Sequence, residues 1–179
     1  MRIVGGKYRG KKLLSPLDEK TRPTLDKTRE SIFNIISTRV IDSICLDLFS
    51  GSGAFGVEAI SRGASKVYFN DIHPGAIKII KENIASLKDL TSEAIVSNTD
   101  YKSFINNTSE VFDIVFIDPP YSMKIIKDII EEMINKGLIS KNGVFIAETL
   151  KEDIIDINYE FSKVKEYKYG KSKLTVYWM

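Results

Sequence analysis

Asp118-Pro119-Pro120-Tyr121 is the stretch of this sequence best equipped for chemistry. It follows directly on Phe112-Asp113-Ile114-Val115-Phe116-Ile117, an apolar run that reads as a strand. Two successive prolines at a strand end fix the backbone and donate no hydrogen bonds. The Asp118 carboxylate and the Pro119 carbonyl can then both face outward as acceptors, which suits an amino group with two hydrogens to give. An exocyclic amine of a nucleic-acid base is such a group. Its lone pair is delocalised into the ring, and two fixed acceptors favour the tetrahedral nitrogen that can attack an electrophilic methyl. No strong general base is required, because the nitrogen turns acidic during transfer and can lose its proton to Asp118 or solvent while positioning lowers most of the barrier. Tyr121 adds an aromatic face for an extruded base, a stacking interaction worth roughly 1–3 kcal/mol. The plain alternative is a rigid Pro-Pro turn with a capping Asp and a core Tyr.

A second stretch points to a nucleoside ligand. Leu46-Asp47-Leu48-Phe49-Ser50-Gly51-Ser52-Gly53-Ala54-Phe55-Gly56 places a glycine-rich turn between a strand and a helix, and Gly51, Gly53 and Gly56 have the dinucleotide-fingerprint spacing. Asp71, twenty residues beyond Gly51 and followed by Ile72, ends the next strand where a carboxylate can accept from ribose hydroxyls. On spacing alone NAD and S-adenosylmethionine compete. Asp47 favours the sulfonium cofactor, since a carboxylate beside the loop repels a pyrophosphate and attracts a methionine ammonium; the alternative is a carboxylate bonded to nearby backbone amides. Asp100, with Tyr101 beside it, either accepts from an adenine amine or caps the following helix. The candidate cofactor contacts are therefore Asp47, Phe49, Ser50, Gly51, Gly53, Asp71, Ile72, Asp100 and Tyr101.

These residues need a scaffold, and the hydrophobic pattern supplies one. Apolar runs near 44–48, 66–70, 94–97, 112–117 and 143–147 read as strands, separated by helical stretches at 55–62, 74–87, a short piece after Tyr101, and 123–136. Residues 26–37 read as an amphipathic helix with Asp26 available as its cap. Residues 162–169 and 173–178 alternate around Gly170 and read as an antiparallel hairpin. The fold class expected is α/β, a doubly wound and mostly parallel sheet with that C-terminal hairpin and with ligands at the carboxyl ends of the strands. Residues 1–22, with glycines at 5, 6 and 10, read as a small N-terminal hairpin extension, and residues 23–179 as the catalytic domain.

Charge is unevenly spread. Residues 1–29 hold nine Lys/Arg against three Asp/Glu, so a chain of net charge +2 carries +6 at its start and −4 beyond it. Such a segment suits a polyanion through counterion release, or else is a solvated face. Arg2, Lys7, Arg9, Lys11 and Lys12 are the candidate polyanion contacts there. The single cysteine, Cys45, excludes an internal disulfide and any multi-cysteine metal site, and no metal is expected. No apolar run has bilayer-spanning length and MRIVGGKYRG has no signal-peptide core, so the expectation is a cytoplasmic protein without membrane contact, and a monomer.

Together these residues resemble the class I S-adenosylmethionine-dependent amino-methyltransferases, whose nucleophile-positioning motif is Asp or Asn, Pro, Pro and an aromatic. Met1-Arg2-Ile3-Val4-Gly5-Gly6, Arg22-Pro23-Thr24, Arg29-Glu30-Ser31-Ile32-Phe33-Asn34, Asp47 to Gly53 and Tyr169-Gly170-Lys171 resemble the RsmD-type small-subunit rRNA guanine-N2 methyltransferases across nearly the whole chain. The resemblance implies a seven-stranded Rossmann-like fold, S-adenosylmethionine as cofactor, and a guanine amine of 16S rRNA in a small ribosomal subunit or assembly particle as substrate. It also implies that Arg22, Thr24 and Arg29 lie near RNA or cofactor. The competing readings are a DNA adenine-N6 methyltransferase, a protein glutamine methyltransferase, a non-catalytic RNA-binding module and a dehydrogenase.

Overall fold

Val, Ile and Phe runs bounded by polar turns form five parallel strands: β1 Ile44–Asp47, β2 Lys66–Asn70, β3 Glu93–Ser97, β4 Phe112–Ile117 and β5 Ile139–Leu150. They alternate with α1 Pro23–Ile35, α2 Ser37–Val40, α3 Ala54–Ser61, α4 Pro74–Ala85, α5 Tyr101–Asn107 and α6 Ile126–Asn135, and the chain ends in β6 Lys163–Tyr169 and β7 Ser172–Trp178. The computed structural model describes residues 1–15 and 23–179, with the side chains of 23–25 excepted. The seven strands form one sheet in the order β3-β2-β1-β4-β5-β7-β6, a Rossmann-like arrangement. The C-terminal hairpin inserts its second strand antiparallel to β5, so β7 lies inside the sheet and β6 forms its edge.

Alternation along the strands divides the core. Ile114 and Phe116 of β4 and Val144 and Ile146 of β5 face Ile32, Phe33 and Ile36, together with Val57 of α3. Val115, Ile117, Phe145 and Ala147 face Phe104 of α5 and Ile129, Ile130 and Met133 of α6. Both faces of the sheet are thus covered, as parallel strands require.

Several boundaries differ from the sequence reading, each for a local reason. Strand β5, expected at 143–147, extends to Leu150 because β7 pairs with it from Val144 to Leu150. The helix expected from 123 starts at Ile126, since Tyr121–Met123 form a tight 3-10 turn and Lys124 takes a left-handed φ of 46°. Helix α1 begins at Pro23, where a proline's missing N–H costs nothing. Asp26, expected as its cap, lies inside the first turn and pairs with Arg29 at 2.9 Å.

The N-terminal hairpin closes by an Arg2–Lys12 bridge and docks on α3. Its Ile3 and Leu13 join the first core. The Val4 N–H donates to Glu58 Oε2 at 2.8 Å, and Ser61 Oγ donates to the Gly5 carbonyl at 2.6 Å. Asn83 of α4 bonds both the N–H and the carbonyl of Leu14 as well as the carbonyl of Ser52. Glu58 is fully buried, and it holds Arg62 at 2.8 Å and Arg29 at 3.6 Å. Glu58→Ala removes the ion partner of Arg62 and one of the two carboxylates beside buried Arg29, and is expected to cost about 3–5 kcal/mol, read as a fall in the urea midpoint. A loss below about 1 kcal/mol, the size of an exposed pair, would show that water already serves those cations.

Candidate active site

The glycine loop joins β1 to α3 and is held from below by two carboxylates. Asp47, at the end of β1 and 3% exposed, accepts the Gly56 N–H at 3.0 Å. It thereby ties the first turn of α3 to the strand, the amide-bonded alternative weighed against a methionine-ammonium contact. Burial pushes its carboxyl up to about 7; the Gly56 bond opposes this and the charge of Asp71 adds to it. Asp71, at the end of β2, accepts the Gly51 N–H and the His73 N–H, both at 2.8 Å, and so fixes the loop from the neighbouring strand. Ser50 is buried, with its hydroxyl donating to the Asp47 carbonyl at 2.6 Å, so this side chain braces the loop.

The glycines have distinct reasons to be glycine. Gly51 and Gly53 take φ of 53° and 77°, and a Cβ on Gly51 would meet nothing within 4 Å, which leaves an open cradle above the loop. A Cβ on Gly56 would lie 2.2 Å from the Phe69 ring, so its role is close packing of α3 on β2.

Around this cradle lie the residues expected to contact an adenosine. Ile72, beside buried Asp71, is an apolar side chain left 59% exposed. Phe49 and Tyr101, both part-buried, pair at 5.7 Å between ring centroids. Asp100 caps α5 through the Ser103 N–H at 3.0 Å, and the Ser103 hydrogen bonds hold its carboxyl below the usual range. Asn70, which flanks Asp71 in sequence with no role assigned to it, and Asn98 were not among the expected site residues. Buried Asn70 donates to the Leu48 and Thr99 carbonyls and accepts from Thr99 Oγ1, while Asn98 donates to the Asp71 and Ile72 carbonyls. They lock the carboxyl ends of β1, β2 and β3 together. The only sequence signal for Asn70 is an amide closing an apolar strand.

The Asp118-Pro119-Pro120-Tyr121 turn sits at the end of β4, the strand next to β1. Asp118 and Pro120 are exposed, Pro119 is buried, and Tyr121 is 42% exposed. The Tyr121 hydroxyl donates to Glu148 Oε1 at 2.8 Å. Burial, this bond and the charge of Asp118 push its phenol above the ordinary range. Beside the turn opens a cavity of about 530 Å³ lined by Pro119, Pro120, Tyr121, Glu148 and Thr149 among others. Glu148 and Thr149 were missed because the strand was expected to stop at 147.

The basic residues divide. Arg2, Lys7, Arg9 and Lys12 are exposed and Lys11 partly so, although Lys7 Nζ donates to the Asp89 carbonyl at 2.6 Å. The hairpin reaches the glycine loop, where Ser52 Oγ contacts Met1 Sδ at 3.8 Å. Arg29 is a correction: expected near RNA or cofactor, it is 3% exposed and bound to Asp26, Glu58 and the Arg2 carbonyl, so it holds the hairpin to α1. Arg22 and the side chain of Thr24 lie outside the described residues.

Asp47 generates a pH prediction. Its folded value near 7 stands above the ordinary 3.8, so the folded chain holds the extra proton between them and stability falls as pH rises through that window. Asp47→Asn keeps an acceptor for the Gly56 amide and cannot ionise. Its stability relative to the parent should therefore climb between about pH 4 and pH 7 and level off above, and thermal melts at pH 5 and pH 8 measure this. Equal differences at both values would mean that Asp47 does not titrate in this window.

Comparison with known proteins places the chain. The family described as Conserved hypothetical protein 95 matches residues 1–178. The chain is 37% identical over 150 residues to Ribosomal RNA small subunit methyltransferase D of Escherichia coli K12, covering 84% of this chain and 72% of the relative. It is 32% identical over 168 residues to the protein of the same name from Haemophilus influenzae, covering 93% and 87%. Among solved structures it superposes on Escherichia coli yhhF with a TM-score of 0.88, 31% identity and coverage of 99% and 97%. The chain belongs to the Conserved hypothetical protein 95 family, the family of these small-subunit RNA methyltransferase D proteins.

Proposed function

We propose that this chain methylates the exocyclic N2 of a guanine in 16S rRNA, presented in a small ribosomal subunit or an assembly intermediate. The chain is an rRNA methyltransferase that uses S-adenosylmethionine. The observation that carries the reading is the Asp118-Pro119-Pro120-Tyr121 turn at the end of β4, one strand from the β1 glycine loop, with β1 and β4 in register at Asp47 and Phe116. The relatives named as ribosomal RNA small subunit methyltransferases supply the RNA class.

The bound cofactor supplies an electrophilic methyl group carried on a sulfonium. This chain's residues do the rest. The open cradle at Gly51, the Asp71 carboxylate and the apolar faces of Ile72, Phe49 and Tyr101 would hold the nucleoside part. The Asp118 carboxylate and the Pro119 carbonyl accept the two amine hydrogens, orient the nitrogen lone pair, and leave Asp118 placed to take the released proton. The N-terminal hairpin serves as a basic RNA-binding extension of the catalytic domain, with Arg2, Arg9, Lys11 and Lys12 set towards phosphates.

Incubation with labelled cofactor and small subunits, followed by digestion to nucleosides, should place the label in N2-methylguanosine. Label confined to N6-methyladenine would refute the guanine assignment. Asp118→Ala should lower kcat by about a hundredfold or more while S-adenosylhomocysteine affinity measured by calorimetry stays close to the parent's. Normal turnover would remove Asp118 from the mechanism. Replacing Arg9, Lys11 and Lys12 by Gln should weaken subunit binding and reduce the slope of log affinity against log salt by about 0.7–0.9 per lost phosphate contact. An unaltered slope would make the hairpin a solvated surface only.

A further inference from the structure

We propose that Glu148 selects the target base, its carboxylate accepting the N1–H of guanine while Asp118 and the Pro119 carbonyl hold the adjacent N2 amine. The inference rests on the guanine-N2 reading and deepens it by naming the residue that tells guanine from the other amine-bearing bases.

Strand register puts the two carboxylates together. Strands β4 and β5 are parallel with Ile117 opposite Ala147, so Asp118 and Glu148 are the next pair along. Phe116 and Ile146 face one core and Ile117 and Ala147 the other, so Glu148, still within β5, returns to the first face, while Asp118 is the first residue past β4. Parallel neighbours stand about 4.8 Å apart across the sheet, which suits adjacent donors on one base edge. The Tyr121 hydroxyl bonds Glu148, and the charge of Asp118 also acts on it.

Glu148 also has room for a further donor. It is 9% exposed, yet among the described residues no Lys, Arg or His forms a salt bridge with it, and Tyr121 bonds only Oε1. A carboxylate acts only as an acceptor, with room for about four donors. One so far withdrawn from water is stabilised when a ligand brings a further N–H. Tyr121 fixes its rotamer and so acts as a positioning residue through its hydroxyl, in addition to offering its ring. In the same wall of the cavity the buried Thr149 hydroxyl has no partner.

Base chemistry then decides what fits. The N2 amine of guanine is flanked by N1–H, a donor. The N6 amine of adenine is flanked by the lone pairs of N1 and N7, and the N4 amine of cytosine by that of N3. A second carboxylate beside the one gripping the amine therefore stabilises guanine and repels the other two. Reading a flipped base by its Watson–Crick edge is the general route to such selectivity.

The test uses 2-aminopurine, which keeps the amine but carries a lone pair at N1. Small subunits are reconstituted with 16S rRNA carrying either guanine or 2-aminopurine at the mapped position. The parent enzyme should show kcat/KM for 2-aminopurine lower by at least about tenfold, because its acceptor then faces a lone pair. Glu148→Gln, whose amide can donate to N1, should shrink or invert that ratio while S-adenosylhomocysteine affinity is retained. An unchanged ratio in Glu148→Gln would overturn the proposal. Tyr121→Phe keeps Glu148 and frees its rotamer, and an intermediate ratio is expected; a ratio equal to the parent's there would remove the positioning role and, should Glu148→Gln fail to fold, count against Glu148 as well. Failure of the underlying reading shows separately, as label in the parent reaction appearing outside N2-methylguanosine.

Discussion

The parallel hydrogen-bonded register of β1, β4 and β5 is the constraint on which the site depends. It sets Asp47 against Phe116 and Ile117 against Ala147, so that the glycine loop and the Asp118 turn leave the ends of adjacent strands beside Glu148, which is still within β5. A slip of one residue would turn each of these side chains to the opposite face. The two cores forbid it, because Phe116 and Ile146 are packed among Phe33, Ile36 and Val57 on one side while Ile117 and Ala147 meet α6 on the other.

Four carboxylates lie at or near the carboxyl ends of β1, β2, β4 and β5, and their surroundings differ. Asp47 and Asp71 are buried and spend oxygens on the backbone amides of Gly56, Gly51 and His73, so they shape the loop that must receive a nucleoside. Asp118 is exposed at its turn, and Glu148 is steadied by the Tyr121 hydroxyl. The first pair is directed towards the protein's own N–H groups, and the second flanks the Tyr121 turn.

The hairpin's attachment depends on buried ionic contacts. The resemblance to known methyltransferases pointed Arg29 towards RNA or cofactor, and nothing in the sequence marked Glu58. In the fold they are nearly dry and bind the Arg2 carbonyl and the Val4 amide, which anchors the N-terminal strands against α1 and α3. A charged side chain's destination depends on what another segment brings to it, and periodicity carries no record of that.

The sequence by itself determined what is local. Apolar period and β-branched content marked the parallel strands, glycines with the required spacing marked the loop between β1 and α3, and two prolines after β4 marked the turn that presents Asp118, because each of these follows from the conformational preferences of a few neighbouring residues. Tertiary structure alone decided the insertion of β7 between β5 and β6, the burial of Arg29, the amide bonding of Asp47, the clamping of strand ends by Asn70, and the meeting of Tyr121 with Glu148. Each joins groups far apart in the chain, and the free energy that brings them together comes from burying two extended apolar faces at once, a quantity that no short window of sequence contains.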